Sequence, residues 1–146
     1  MKWWGIGVTI FFLSVQSVRA VNISLSNVPS SISSTIFTVD VSISGATNAT
    51  NYLRVDLYKD GTTNYFGETY NGSDWYAGSD GKSYFPVQIQ NSSAYATLQA
   101  QLGNPSIGDY PGPGTYKLKI RRYTSSGSQS SNDVQTPVDV QITYST

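Results

Sequence analysis

Seven aromatic residues crowd into one stretch of the chain: Tyr65, Phe66, Tyr70, Trp75, Tyr76, Tyr84 and Phe85. The chemistry open to them is stacking. A ring face is electron-rich and the C–H face of a sugar is apolar, so Tyr70, Trp75, Tyr76 and Tyr84 form a candidate carbohydrate platform. Asn71, Asp74, Asp80 and Lys82 stand nearby as hydrogen-bonding partners for sugar hydroxyls. The competing reading is packing: aromatics bury large areas, and a small core without disulfides needs them.

A second constellation is cationic. Lys117, Lys119 and Arg121 alternate along 115–123. If that segment lies beside 51–58, Arg54, Asp56 and Tyr58 share its outward face, and Asp56 meets a cation across the strands. Arg54, Tyr58, Lys117, Lys119 and Arg121 then make a candidate docking face for an anionic glycan or a protein partner. The alternative is a solvated sheet face whose ion pairs contribute little.

Composition removes other chemistries. The 146 residues include no His and no Cys. That excludes Ser-His-Asp and Cys-His nucleophile systems and a zinc site of the usual kind. Disulfides are impossible. Nine basic and nine acidic side chains balance, which leaves no electrostatic footprint for nucleic acid. Glu68 is the sole Glu, and the eight Asp are scattered over turns and outward strand positions. No spacing suggests a two-carboxylate hydrolase. Asp74, Asp80 and Asp109 lack the ligand spacing of a calcium loop. Gly81-Lys82-Ser83 ends like a phosphate-binding loop, but Tyr76 stands where its first Gly must be. The sequons at Asn22, Asn48, Asn71 and Asn91 carry weight only if the source glycosylates secreted Asn. No enzyme activity, cofactor or metal is expected.

The elements that must position these residues follow a signal. Lys2, an apolar run from Gly5 to Val15, and Val18-Arg19-Ala20 have the three-part layout of a secretory signal peptide over 1–20. The run is shorter than the roughly 20 residues a membrane span needs. Cleavage after Ala20 leaves 21–146 with Trp75 as its only Trp. Period-2 alternation then predicts strands at 22–26, 35–44, 51–58, 63–70, 84–90, 94–102, 115–123 and 134–144. Inward positions include Leu53, Val55 and Leu57, then Tyr116, Leu118 and Ile120, and finally Val134, Val138, Val140 and Ile142. Lys59-Asp60-Gly61 and Asn71-Gly72 are hairpin signals. Pro137 makes the last strand an edge or places a bulge in it. The pattern predicts an all-β fold, an immunoglobulin-like or fibronectin-III-like antiparallel sandwich of 7–9 strands without a disulfide. Tyr116, two residues before an inward position on the penultimate strand, is the expected tyrosine corner.

Four stretches also carry a resemblance: Val28-Pro-Ser-Ser-Ile-Ser-Ser-Thr-Ile-Phe-Thr-Val-Asp-Val41, Thr63-Asn-Tyr-Phe-Gly67, Asn71-Gly-Ser-Asp-Trp75, and Gly112-Pro-Gly-Thr-Tyr-Lys-Leu-Lys-Ile-Arg-Arg-Tyr-Thr-Ser-Ser-Gly127. The chain resembles the N-terminal Ig-like domains of secreted surface proteins from candidate-phylum bacteria, some of which precede a lamin-tail domain. The resemblance implies surface location and no particular ligand or functional residue. The expectation is a signal peptide followed by one Ig-like domain, secreted or at the cell surface. Its expected role is non-catalytic binding or adhesion to an extracellular glycan or surface protein. A carbohydrate-binding module near Trp75 is the alternative. A structural spacer from a truncated larger surface protein is the second. The edge strands are also candidates for adding to a partner's sheet.

Overall fold

The computed structural model describes Met1, 20–103 and 109–145. The signal assigned to 1–20 falls almost wholly outside those residues. Twelve strand segments are present: β1 (Val21–Ser26), β2 (Ser31–Ile32), β3 (Ile36–Ser44), β4 (Thr50–Tyr58), β5 (Tyr65–Phe66), β6 (Glu68–Tyr70), β7 (Trp75–Tyr76), β8 (Phe85–Gln88), β9 (Ser93–Gln101), β10 (Gly114–Tyr123), β11 (Asp133–Val134) and β12 (Val138–Ile142). One sheet has the order β11-β1-β3-β9-β6-β7 and the other β2-β12-β10-β4-β5, with β8 also paired to β4. The two pack as an all-β sandwich with Ig-like strand neighbours. Among the described residues no helix is long and apolar enough to cross a membrane.

The alternation seen in sequence builds the core. Val39, Val41, Leu53, Val55, Leu57, Leu98, Leu118, Ile120, Val140 and Ile142 are buried between the sheets. Successive strand residues point to opposite faces, so one apolar residue in two is enough.

The eight predicted strands become twelve because two of them are cut, at Gly67 and at Pro137, and two short segments, β2 and β7, form outside the predicted ones. The expected strand at 134–144 is divided at Pro137. β11 pairs in parallel with β1 in the first sheet, while β12 pairs in parallel with β2 in the second. Val134, expected inward, is 55% exposed. Pro137 has no N–H to give a ladder, so the chain changes sheet there. A side chain repairs the gap. The Ile120 N–H donates to Gln135 Oε1 (2.6 Å), and Gln135 Nε2 donates to the Ile120 carbonyl (2.7 Å). The carboxamide of Gln135 thus stands in for the partner strand, which begins only at Val138.

The expected strand at 63–70 is cut at Gly67 (φ +89°), where an added Cβ would stand 2.8 Å from the Gln101 carbonyl. β5 stays beside β4, but β6 crosses to β9. The crossing leaves the edge of β4 unpaired between β5 and β8. Fully buried Thr69 fills it: its Oγ1 accepts the Val55 N–H at 2.9 Å. β8, predicted as 84–90, runs beside the start of β4.

Tyr116 is buried, and its hydroxyl donates to the Gly112 carbonyl (2.8 Å). This is a hydroxyl-to-backbone bond of the tyrosine-corner kind. Its ring packs edge-on against Phe66.

Candidate functional site

β4 and β10 are antiparallel neighbours, with Arg54 opposite Arg121, Asp56 opposite Lys119 and Tyr58 opposite Lys117. These side chains share the outer face of the second sheet. Like charges directly opposite destabilise a ladder. Here both guanidinium groups turn onto one carboxylate. Arg54 Nε lies 2.6 Å from Asp56 Oδ1, and Arg121 Nε donates to Asp56 Oδ2 at 2.8 Å. Asp56, expected to point outward into solvent, is fully buried. Alternation alone implies a bare outer face, and this face is covered. Burial pushes the Asp56 carboxyl up from its ordinary value, against the pull of Arg54, Arg121 and Lys119.

Tyrosines supply the cover. Tyr84, only 1% exposed, stacks on Tyr123 with ring centroids 5.3 Å apart. Arg54 Cζ lies 5.4 Å from the Tyr84 ring centroid, within cation–π range. The Tyr84 hydroxyl donates to the Gly78 carbonyl (2.6 Å), and the Tyr76 hydroxyl accepts the Asp80 N–H (3.0 Å). Those two bonds hold residues 77–80 beside the arginines. A 3-10 turn, Gly81–Ser83, then leads into Tyr84, with Asp80 capping the Lys82 N–H and accepting from the Ser83 hydroxyl. Gly81 lies against Tyr123 and the Gly127 carbonyl so closely that a Cβ would stand 2.3 Å from that oxygen. Only glycine lets this turn lie on the sheet.

Lys119 occupies a slot between Tyr58 and Tyr65. Its Nζ donates to the Tyr65 hydroxyl (2.8 Å) and lies 5.2 Å from the Tyr58 and 4.6 Å from the Tyr65 ring centroid. Arg121 Cζ stands 4.5 Å from the Tyr65 ring centroid. Lys117 is separate, bound to Asp139 on β12 at 2.7 Å. Of the five residues of the predicted docking face, Arg54, Tyr58, Lys119 and Arg121 are therefore one connected assembly, and Lys117 is neutralised at its border. Arg54 and Arg121 share the Asp56 carboxylate and Lys119 is bonded only to a tyrosine hydroxyl, which leaves an excess of positive charge. Among the described residues no acceptor is hydrogen-bonded to the Nη groups of Arg54.

Two hollows open on this face. One is lined by Arg54, Arg121, Tyr123, residues 77–79, Gly127 and Gln129. The other is lined by Tyr58, Lys119, Arg121, Gln129, Gln135 and Pro137. Arg121 and Gln129 belong to both.

The predicted aromatic platform comes apart. Tyr70 and Trp75 face each other across β6 and β7, both half-buried, with centroids 5.3 Å apart and rings tilted 53°. Tyr76 turns the other way and packs edge-on against Tyr84. Tyr84 is core to the loop and has no free face for a sugar. Neighbouring Trp75 and Tyr76 lie on opposite sides of one strand, so the four rings cannot be coplanar. Asn71 and Asp80 are turn formers: Asn71 Oδ1 accepts the Ser73 and Asp74 N–H groups.

A second ion pair is spent on structure. Arg122, at an inward position, binds Asp133 (2.6 Å), Asn51 (2.6 Å) and Ser130 (2.6 Å) at the end of the sandwich. Among the described residues no group of three or more acidic side chains gathers to hold a metal.

Sequence reasoning missed Tyr65, Tyr123 and the burial of Asp56 as parts of the cationic assembly. Tyr123 continues the outward alternation 117, 119, 121, which is the signal that points to it. No family model matches the chain, and no curated protein gives a significant match.

Proposed function

We propose that this protein is a non-catalytic binding or adhesion module of the cell exterior, and that its recognition surface is the outer face of β4 and β10. One observation carries the reading. Arg54 and Arg121 are opposed across the ladder and held by one buried carboxylate under a pinned tyrosine loop. An ordinary solvated face has no need of that cover. Preorganised side chains lose less entropy on binding, which is the use of such rigidity at an interface. The exterior location rests on the signal-like N-terminus and on the resemblance to secreted Ig-like domains.

The test is cosedimentation of the protein with insoluble cell-envelope material. Arg54→Gln and Lys119→Gln are expected to lower the bound fraction. Tyr95→Ala, on the outer face of the other sheet, is expected to leave it unchanged. Loss on Tyr95→Ala alone would move the recognition surface to the first sheet. The Tyr70–Trp75 pair supports a second reading, a sugar stacked on one half-exposed ring, and Trp75→Ala belongs in the same series.

A further inference from the structure

We infer that the two hollows on the outer face of β4 and β10 form one track for an acidic polysaccharide, with a sugar carboxylate or sulfate seated between Arg54 and Arg121. This rests on the binding-module reading and names the ligand class for that surface.

Charge is the first reason. Two guanidinium groups close on Asp56 with Lys119 opposite it on the ladder, and Lys117 and Arg122 are already matched by Asp139 and Asp133. The surplus is therefore local to these hollows. An anion at Arg54 and Arg121 would relieve a like-charge opposition that Asp56 alone must now offset. A guanidinium fork matches carboxylate and sulfate oxygens, and the Nη groups of Arg54 are open to take them.

Shape is the second reason. Arg121 and Gln129 line both hollows, with Arg54 in one and Lys119 in the other. A small free anion needs one such hollow. A chain bearing acidic groups on successive units fits both.

The lining is the third reason, and it separates sugar from peptide. A groove for an extended peptide pairs with a free sheet edge and gives alternate side chains pockets, whereas β4 and β10 present a sheet face. Ser130 and Gln135 are already bonded to Arg122, Asp133 and Ile120, while this surface offers the Ser79 hydroxyl and the Gln129 amide beside the Tyr58 ring. Those groups suit sugar hydroxyls and C–H faces.

The experiment is calorimetric titration of the full chain with four probes: oligogalacturonate, a sulfated galactan fragment, a neutral galactan fragment, and poly-L-glutamate. The two acidic sugars are expected to bind at least about tenfold more tightly than the neutral one, the scale of one charged hydrogen bond. They are also expected to exceed poly-L-glutamate. Binding by only one acidic sugar would identify its group, carboxylate or sulfate, as the one seated. Arg121→Gln should weaken acidic-sugar binding about tenfold. Arg121→Lys keeps the charge without the fork and should fall between. Urea midpoints of both variants separate lost binding from lost folding. Equal affinity for neutral and acidic sugars overturns the inference, as does preference for poly-L-glutamate or binding by none of the four. If envelope material still sediments with the protein through this face, the module reading survives that failure. Binding that Trp75→Ala abolishes and Arg121→Gln spares overturns both.

Discussion

Arg54 and Arg121 stand directly opposite each other on adjacent strands, and both close on Asp56. Their side chains are only 12% and 17% exposed. Removing one partner of a buried ion pair typically costs about 3–5 kcal/mol, because the remaining charge stays desolvated. Asp56→Leu should therefore lower stability by about 3 kcal/mol or more. The same loss should appear as a shift of the urea midpoint with unchanged slope.

Acidity tests the same carboxylate with a definite sign. Asp56 is raised in the folded state, so between its ordinary value of 3.8 and its raised value the folded protein holds a proton that the unfolded chain lacks. Its contribution to stability is thus full below 3.8 and declines as pH rises through the raised value. Asp40 behaves oppositely. Hydrogen bonds from Thr97 and Asn27 hold it below 3.8, so its contribution is present above that value and is lost as pH falls through the lowered one. Urea midpoints across a pH series should show Asp56→Asn flattening the upper window and Asp40→Asn flattening the acid limb. A proton on Asp56 also adds to the positive charge, so a sulfated glycan should bind more tightly on acidification within that upper window.

Buried Thr69 is a single-atom test of the sheet crossing. Thr69→Val keeps the shape and leaves the Val55 N–H without an acceptor, which should cost about 1–3 kcal/mol. Thr69→Ser keeps the hydroxyl and should cost less. Amide exchange at Val55 should speed up in the valine variant alone.

At the other end of the sandwich, Arg122→Met leaves Asp133 and Asn51 without their donor. A loss of about 3–5 kcal/mol is expected. The double variant Arg122→Met with Asp133→Leu should lose less than the two single losses added, since no lone charge remains. Denaturant melts of the three variants give the comparison.

The long strands were legible in the sequence because one face of each is buried in the sandwich. Phe37-Val39-Val41-Ile43 and Leu53-Val55-Leu57 alternate without interruption and lie inward as expected. The sheet changes were not legible. Pro137 signalled an interruption, but the bond from Gln135 that makes a change of sheet tolerable joins residues 15 apart. The cationic stripe was legible as a stripe, by alternation alone. Its depth was not, because Asp56 lies under Arg54 and Arg121, and the rings set against those arginines, Tyr84 and Tyr65, belong to segments that carry no matching periodicity. The turn at Gly81 explains the aromatic cluster: Tyr84 and Tyr76 hold a loop in place, and rings so used do not form a platform.

The central claim is that binding occurs on the outer face of β4 and β10. Backbone and arginine side-chain NMR spectra of the labelled protein, recorded during titration with oligogalacturonate and the sulfated galactan fragment, test it most directly. Shifts clustered at Arg54, Ser79, Lys119, Arg121 and Gln129 are the predicted result. Saturable shifts clustered instead at Tyr70, Trp75 and Tyr95, with Arg54 and Arg121 unmoved, would contradict it.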